Sequence, residues 1–90
     1  MKGLENSLRK HLKNIPFKTE FGGYEKYEEE EVFFIHYPLK KEKQFKDYLC
    51  DWVSKKHSVI KDGSFGVYKS VDDYSSRNKG WWTYVVTKGK

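Results

Sequence analysis

Three histidines (His11, His36 and His57), one cysteine (Cys50) and a run of four glutamates are the residues of this 90-residue chain whose types suit acid–base, nucleophilic or metal chemistry. Their spacing argues against each in turn. The histidines are 25 and 21 residues apart, with no second ligand at metal-binding separation, and none stands at a recognised interval from Cys50. No phosphate-binding loop, nucleophile elbow, zinc-protease or dinucleotide fingerprint occurs. Gly63-Ser64-Phe65-Gly66 reads as a turn entering a strand rather than as a phosphate cradle. RNA cleavage without a metal needs only proton transfer and charge neutralisation. His36, Tyr68 and a lysine supply those groups, but no spacing selects them, so a toxin-like ribonuclease is the lowest of the readings and the expectation is a non-enzyme without cofactor or metal.

Glu28, Glu29, Glu30 and Glu31 fall in an extended segment, where alternate side chains point to opposite sides. Four carboxylates split in this way do not converge on one ion. The run is expected to aid solubility, to guard a sheet edge, or to meet a basic groove on a partner protein.

The remaining chemistry is recognition. Of 18 basic residues 16 are lysine, and the net charge is +5. Lysine is a mobile point charge, whereas arginine reads guanine edges with two hydrogen bonds. The charge is blocked: +3 over residues 1–20, −4 over 21–31, +4 over 32–61 and +2 over 62–90. Lys40, Lys41, Lys43 and Lys46 crowd the start of a helix, where cations oppose the helix dipole, whereas Lys55, Lys56 and Lys61 lie at and after its end, where cations suit it. The first cluster is therefore the better candidate for phosphate or acidic-protein contact.

Positioning those groups requires a fold, and 90 residues make one domain, 1–90, with a modest core. Hydrophobic residues are 37% of the chain, but 16 aromatics oppose disorder because each buries a large area. Leu4, Leu8, Leu12 and Ile15 recur at helical spacing, which predicts a helix over 3–14 stopped by Pro16. Phe17–Phe21 alternates at period two, and Gly22-Gly23 is expected to turn the chain into a second strand, Tyr24–Tyr37. The end of that strand, Val32-Phe33-Phe34-Ile35-His36-Tyr37, is apolar on both faces, as in a central strand.

A stripe of Phe45, Tyr48, Leu49, Trp52 and Val53 predicts a helix over 40–57, supported by the pairs Glu42–Lys46 and Asp51–Lys55, with Cys50 as a small buried thiol. Asp62-Gly63 marks a turn, Ser64–Val71 a strand, 72–80 a polar loop and Trp81–Thr87 a closing strand. The order α-β-β-α-β-β predicts an α+β two-layer sandwich: a four-stranded, mainly antiparallel sheet with two helices on one face.

The uncovered face then becomes the recognition surface. Alternation sends Trp82, Tyr84 and Val86 inward and Trp81, Thr83 and Val85 outward. In the same way Phe34, His36 and Tyr68 join Trp81 outside. Exposed aromatics on a sheet are a stacking surface for single-stranded nucleic acid. The other uses of such a face are contact with a protein, a homodimer among them, or packing under the protein's own chain. The first expectation is a binding module for nucleic acid, single-stranded by preference, or for a host nucleoprotein. The alternative is a small phage- or virus-type inhibitor or adaptor that docks on a host protein complex through Glu28–Glu31 and the aromatic face. No membrane role is expected. With no apolar signal at its start, and one cysteine only, the chain is expected in a reducing cytoplasm.

Overall fold

Two strands dominated by large apolar residues form the middle of a four-stranded sheet, one further strand pairs at each outer edge, and the apolar stripes of two helices join the same core. The structure is a computed structural model and describes residues 2–60, 63–70 and 80–89. Its elements run α1 (Lys2–Leu12), β1 (Glu20–Tyr27), β2 (Glu30–Pro38), a 3-10 turn (Leu39–Lys41), α2 (Glu42–Val59), β3 (Ser64–Lys69) and β4 (Trp81–Gly89). All neighbouring strands are antiparallel, in the order β1-β2-β4-β3. The protein is thus an α+β fold with a four-stranded antiparallel sheet and two helices. The doubly apolar stretch 32–37 lies in β2, a central strand as its pattern requires.

The core follows from the two periodicities. Leu4, Leu8 and Leu12 of α1 and Phe45, Leu49 and Trp52 of α2 meet Phe33, Ile35 and Tyr37 of β2 and Tyr84 and Val86 of β4 in one cluster. Tyr37 stacks on Phe45 with ring centroids 4.7 Å apart. The two helices are clamped by a reciprocal pair: His11 Nε2 lies 2.9 Å from the Tyr48 carbonyl, and Tyr48 Oη donates to the His11 carbonyl at 2.7 Å. The two rings also stack at 4.0 Å. Trp52 Nε1 adds a bond to Ser7 Oγ at 3.2 Å.

Several expectations change. The turn is not at Gly22-Gly23. Both glycines lie inside β1, at a bulge where the register shifts between Phe21 and Gly23. Phe21 and Tyr24 are three apart, so an unbroken strand would send them to opposite faces; the extra residue lets both rings meet Phe33 on the core side, at 6.3 and 5.0 Å. Gly22 is also required there because a Cβ would strike His36 Nε2. The hairpin instead turns at Glu28-Glu29, with φ of 21° at Glu28 and Tyr27 paired to Glu30. The glutamate run is therefore half turn and half strand, not one extended segment.

α1 stops at Leu12, and the chain tightens through Asn14 N→His11 O and Ile15 N→Leu12 O bonds before Pro16. Phe17 precedes the first strand rather than opening it, and its ring packs edge-on to Phe45 at 6.2 Å. Cys50 is exposed, because it follows Leu49 by one residue and the 100° rotation of a helix carries it to the solvent side. β4 runs two residues further than expected, to Gly89. The expected loop, apart from Gly80, and the end of the third strand at Val71 lie outside the described residues, as do Lys61 and Asp62 of the expected turn. No helix among the described residues is long and apolar enough to cross a membrane.

Candidate functional site

The side of the sheet turned away from the helix-lined core is built in rows by the strand register. From β1 to β3 the rows are Glu20, His36 and Thr83; then Gly23, Phe34, Val85 and Tyr68; then Glu25, Val32, Thr87 and Gly66. Pro38 and Trp81 pair at one end, and Glu30 and Gly89 pair at the other. None of Phe34, Val85, Trp81 or Tyr68 belongs to the core cluster or packs against it. Phe34, His36, Tyr68 and Trp81 thus share one face, and Trp82 takes the other.

This face is furnished rather than bare. Thr83 is fully buried although it points away from the helices. His36 covers it, with Nδ1 2.6 Å from Thr83 Oγ1 and its other nitrogen seated against Gly22. Tyr68 folds back along the sheet: a Cβ on Gly66 would lie 2.6 Å from Tyr68 Oη and 2.7 Å from Thr87 Oγ1. Only glycine lets the ring cross there. One flank of Tyr68 is thereby sheltered while the residue as a whole stays 58% exposed.

The three tryptophans differ in one telling respect. Trp52 donates to Ser7, and Trp82 donates to the Ser70 carbonyl at 2.8 Å. Among the described residues the Trp81 indole N–H has no partner. No buried side-chain nitrogen or oxygen is left unsatisfied among them, so that N–H is reached by solvent. Trp81 lines a shallow depression with Pro38, Leu39, Lys40 and Gly80, closed beneath by the Leu39 N→Gly80 O bond of 2.8 Å. Lys40 also lines the adjoining depression with Lys41, Lys43, Gln44 and Asp47. One lysine therefore joins the basic cluster to the end of the aromatic face.

Lys46 lacks its expected partner because that carboxylate is engaged elsewhere. Glu42 does not turn to Lys46; it accepts from Tyr37 Oη at 2.9 Å and pairs with Lys69 Nζ at 2.6 Å. Lys69 first, and Tyr37 second, hold the Glu42 carboxyl below the ordinary carboxylate range. Burial, followed by the same Glu42 contact, pushes the Tyr37 phenol well above its usual value. Lys40, Lys41, Lys43 and Lys46 are all exposed, and among the described residues none is ion-paired. The expected Asp51–Lys55 pair forms at 3.1 Å.

Glu28, Glu29, Glu30 and Glu31 occupy the opposite end of the sheet. Eight residue steps of β2 separate Glu30 from Pro38, about 26 Å at ~3.3 Å per step. The acidic hairpin and the lysine cluster do not form one site. Glu31 accepts from Tyr24 Oη at 2.8 Å, a bond that pushes the Tyr24 phenol up. Tyr27, 54% exposed, donates to Glu25.

His36 and Tyr68 stand two strands and one row apart, about 12 Å between backbones at ordinary strand spacing. No group of three or more histidine, cysteine or acidic side chains that could hold a metal occurs among the described residues. The residues that the sequence passed over are Gly22, Gly66 and Pro38, whose roles arise from what lies across the strand and leave no local pattern. Comparisons with protein-family models, curated proteins and solved structures return no match.

Proposed function

We propose that the protein is a small basic, non-enzymatic binding module that takes single-stranded nucleic acid, free or within a nucleoprotein, across the uncovered side of a two-layer sandwich. The observation that carries this reading is the indole of Trp81, free at its N–H and lying in one depression with Lys40. A base stacks on the indole while the phosphates beside it meet Lys40, Lys41, Lys43 and Lys46. Stacking is worth about 1–3 kcal/mol per base and tolerates any sequence, and lysines add attraction without reading base edges. Phe34 and Val85 extend the apolar surface toward Tyr68, and His36 fixes its floor through Thr83. The exposed free thiol of Cys50 suits a reducing compartment, so a cytoplasmic setting belongs to the same reading.

Fluorescence anisotropy of labelled single strands of about 12 nucleotides tests it. Binding at about 50 mM salt is expected, with log affinity falling linearly against log salt and a slope of roughly −2 to −3 for three or four neutralised phosphates. Reversal of Lys40 and Lys43 to glutamate flattens that slope. Absence of binding to RNA and DNA at that salt removes the reading.

A second reading is favoured by the hairpin tip, where the exposed Tyr27 stands beside Glu25, Glu28, Glu29 and Glu30. Here the protein is an inhibitor or adaptor of the kind mobile elements encode, docking this acidic, aromatic tip on a basic surface of a host protein. A host complex captured by the native chain and lost on reversal of Glu28 and Glu29 to lysine supports it; capture unchanged by that reversal removes it.

A further inference from the structure

A groove separate from the sheet face opens between α1 and the segment leading into β1. Its floor is apolar: Leu12 and Ile15 are buried, and the half-buried rings of Phe17 and Phe21 complete it. Its rim is basic: Lys10, Lys13 and Lys18 line it, all exposed and none ion-paired among the described residues. Arg9 also lines the groove, its guanidinium 4.0 Å from the centroid of Phe21 and 3.0 Å from Glu5. None of the lining residues is acidic.

We infer that this groove receives an acidic peptide segment of a partner protein, one that carries apolar side chains between its carboxylates. Three features select that occupant. The rim presents three unneutralised ammonium groups, which calls for an anionic ligand. The floor is mainly branched aliphatic surface, Arg9 covers one face of Phe21, and Phe17 is the one ring left uncovered, so a leucine or phenylalanine side chain fits better than a run of stacked nucleobases. The side chains of Asn6, Asn14 and Thr19 along the walls offer hydrogen bonds to an extended backbone. α1 lies on the opposite side of the sheet from Trp81, so the inference stands apart from the single-strand reading and fails or holds independently of it.

Anisotropy of a fluorescein-labelled peptide of alternating glutamate and leucine, titrated with the full chain, tests the assignment. The double variant Lys10→Glu/Lys13→Glu is expected to weaken binding at least about tenfold, and Lys40→Glu/Lys43→Glu less than about twofold. A peptide of equal charge with serine for leucine binds at least about fivefold more weakly. Circular dichroism and melting temperature establish that the variants are folded. Lys18→Glu, outside the helix, repeats the test in the same direction should α1 be disturbed. Failure of the native chain to bind the peptide overturns the proposal. So does equal loss from both lysine pairs, or equal affinity for the serine peptide, since either shows diffuse attraction. Loss of single-strand binding by Lys10→Glu/Lys13→Glu, with peptide binding unchanged, reassigns the groove to nucleic acid.

Discussion

Replacing the adjacent residues Trp81 and Trp82 in turn separates the two faces of the sheet in a single experiment. Trp82 packs against the core, its N–H bonds to the Ser70 carbonyl, and Lys69 lies 5.2 Å from its ring centroid. A tryptophan buries about 150–250 Å², so half-burial at ~25 cal/mol per Å² is worth roughly 2–3 kcal/mol. The lost hydrogen bond adds about 1 kcal/mol. Trp82→Ala should therefore cost about 3–4 kcal/mol and lower the melting temperature by roughly 12–30 °C in a domain of this size. Trp81 lines its depression with Pro38, Leu39, Lys40 and Gly80, lies outside the core cluster, and has no indole hydrogen bond among the described residues. Trp81→Ala should cost about 1–2 kcal/mol.

The order reverses in binding. Trp81→Ala is expected to lose the stacking of one base, about 1–3 kcal/mol or roughly 5- to 150-fold in affinity. Trp82→Phe, chosen because it keeps a core ring, should bind within about twofold of the native chain. Calorimetric melting and anisotropy at one salt concentration read both quantities. Equal destabilisation by the two alanine variants, or native affinity in Trp81→Ala, refutes the reasoning.

Four further outcomes follow from the packing. Gly22→Ala drives a methyl into His36 and should cost about 1–3 kcal/mol; in a His36→Ala background the cost should largely vanish, which a double-mutant cycle of urea midpoints checks. Glu42 is held below its ordinary value of 4.5, so its contribution is present above that pH and is lost as pH falls through the lowered value. With its carboxylate more than a third exposed, that contribution is under about 1 kcal/mol, and Glu42→Gln should flatten acid melting by that amount. At the alkaline end the raised phenols of Tyr37 and Tyr84 stay protonated in the fold while unfolded tyrosine ionises. Stability should therefore fall as pH rises past 10, less steeply in Tyr37→Phe. Tyr48→Phe removes one half of the clamp on His11 and should cost about 0.5–1.5 kcal/mol in the same urea assay.

Much of the fold was legible because the periodic signals were strong. Leu4, Leu8 and Leu12 mark one helix, the stripe from Phe45 to Val53 marks the other, and the doubly apolar run 32–37 marks a central strand. The outward assignment of Phe34, His36, Tyr68 and Trp81 came from alternation together with polarity, since Thr83 and His36 marked the more polar sets. The first hairpin was misplaced because Gly22-Gly23 looks like a turn locally. Its true requirements are the bulge that aligns Phe21 with Tyr24 and the space for His36, a residue 14 positions away. The Glu28-Glu29 turn carries no turn chemistry of its own and is set by the registers on either side. Cys50 was misjudged because mid-helix position was taken for burial, when its angle from Leu49 decides. Glu42 went to Tyr37 and Lys69 rather than to Lys46 because a contact across the fold outcompetes an exposed pair on one helix. The groove beside α1 was missed altogether: its cations lie at residues 9–18, yet its apolar floor exists only once Phe21 folds back beside Leu12.

The most direct test of the account is the indole N–H region of a nitrogen–proton correlation spectrum during titration with a single-stranded oligonucleotide. The Trp81 resonance should move or broaden with added strand, together with the backbone amides of Phe34, Lys40 and Val85, while those of Trp52 and Trp82 hold still. Movement confined to residues 6–21 or 25–31, with Trp81 unmoved, would contradict it.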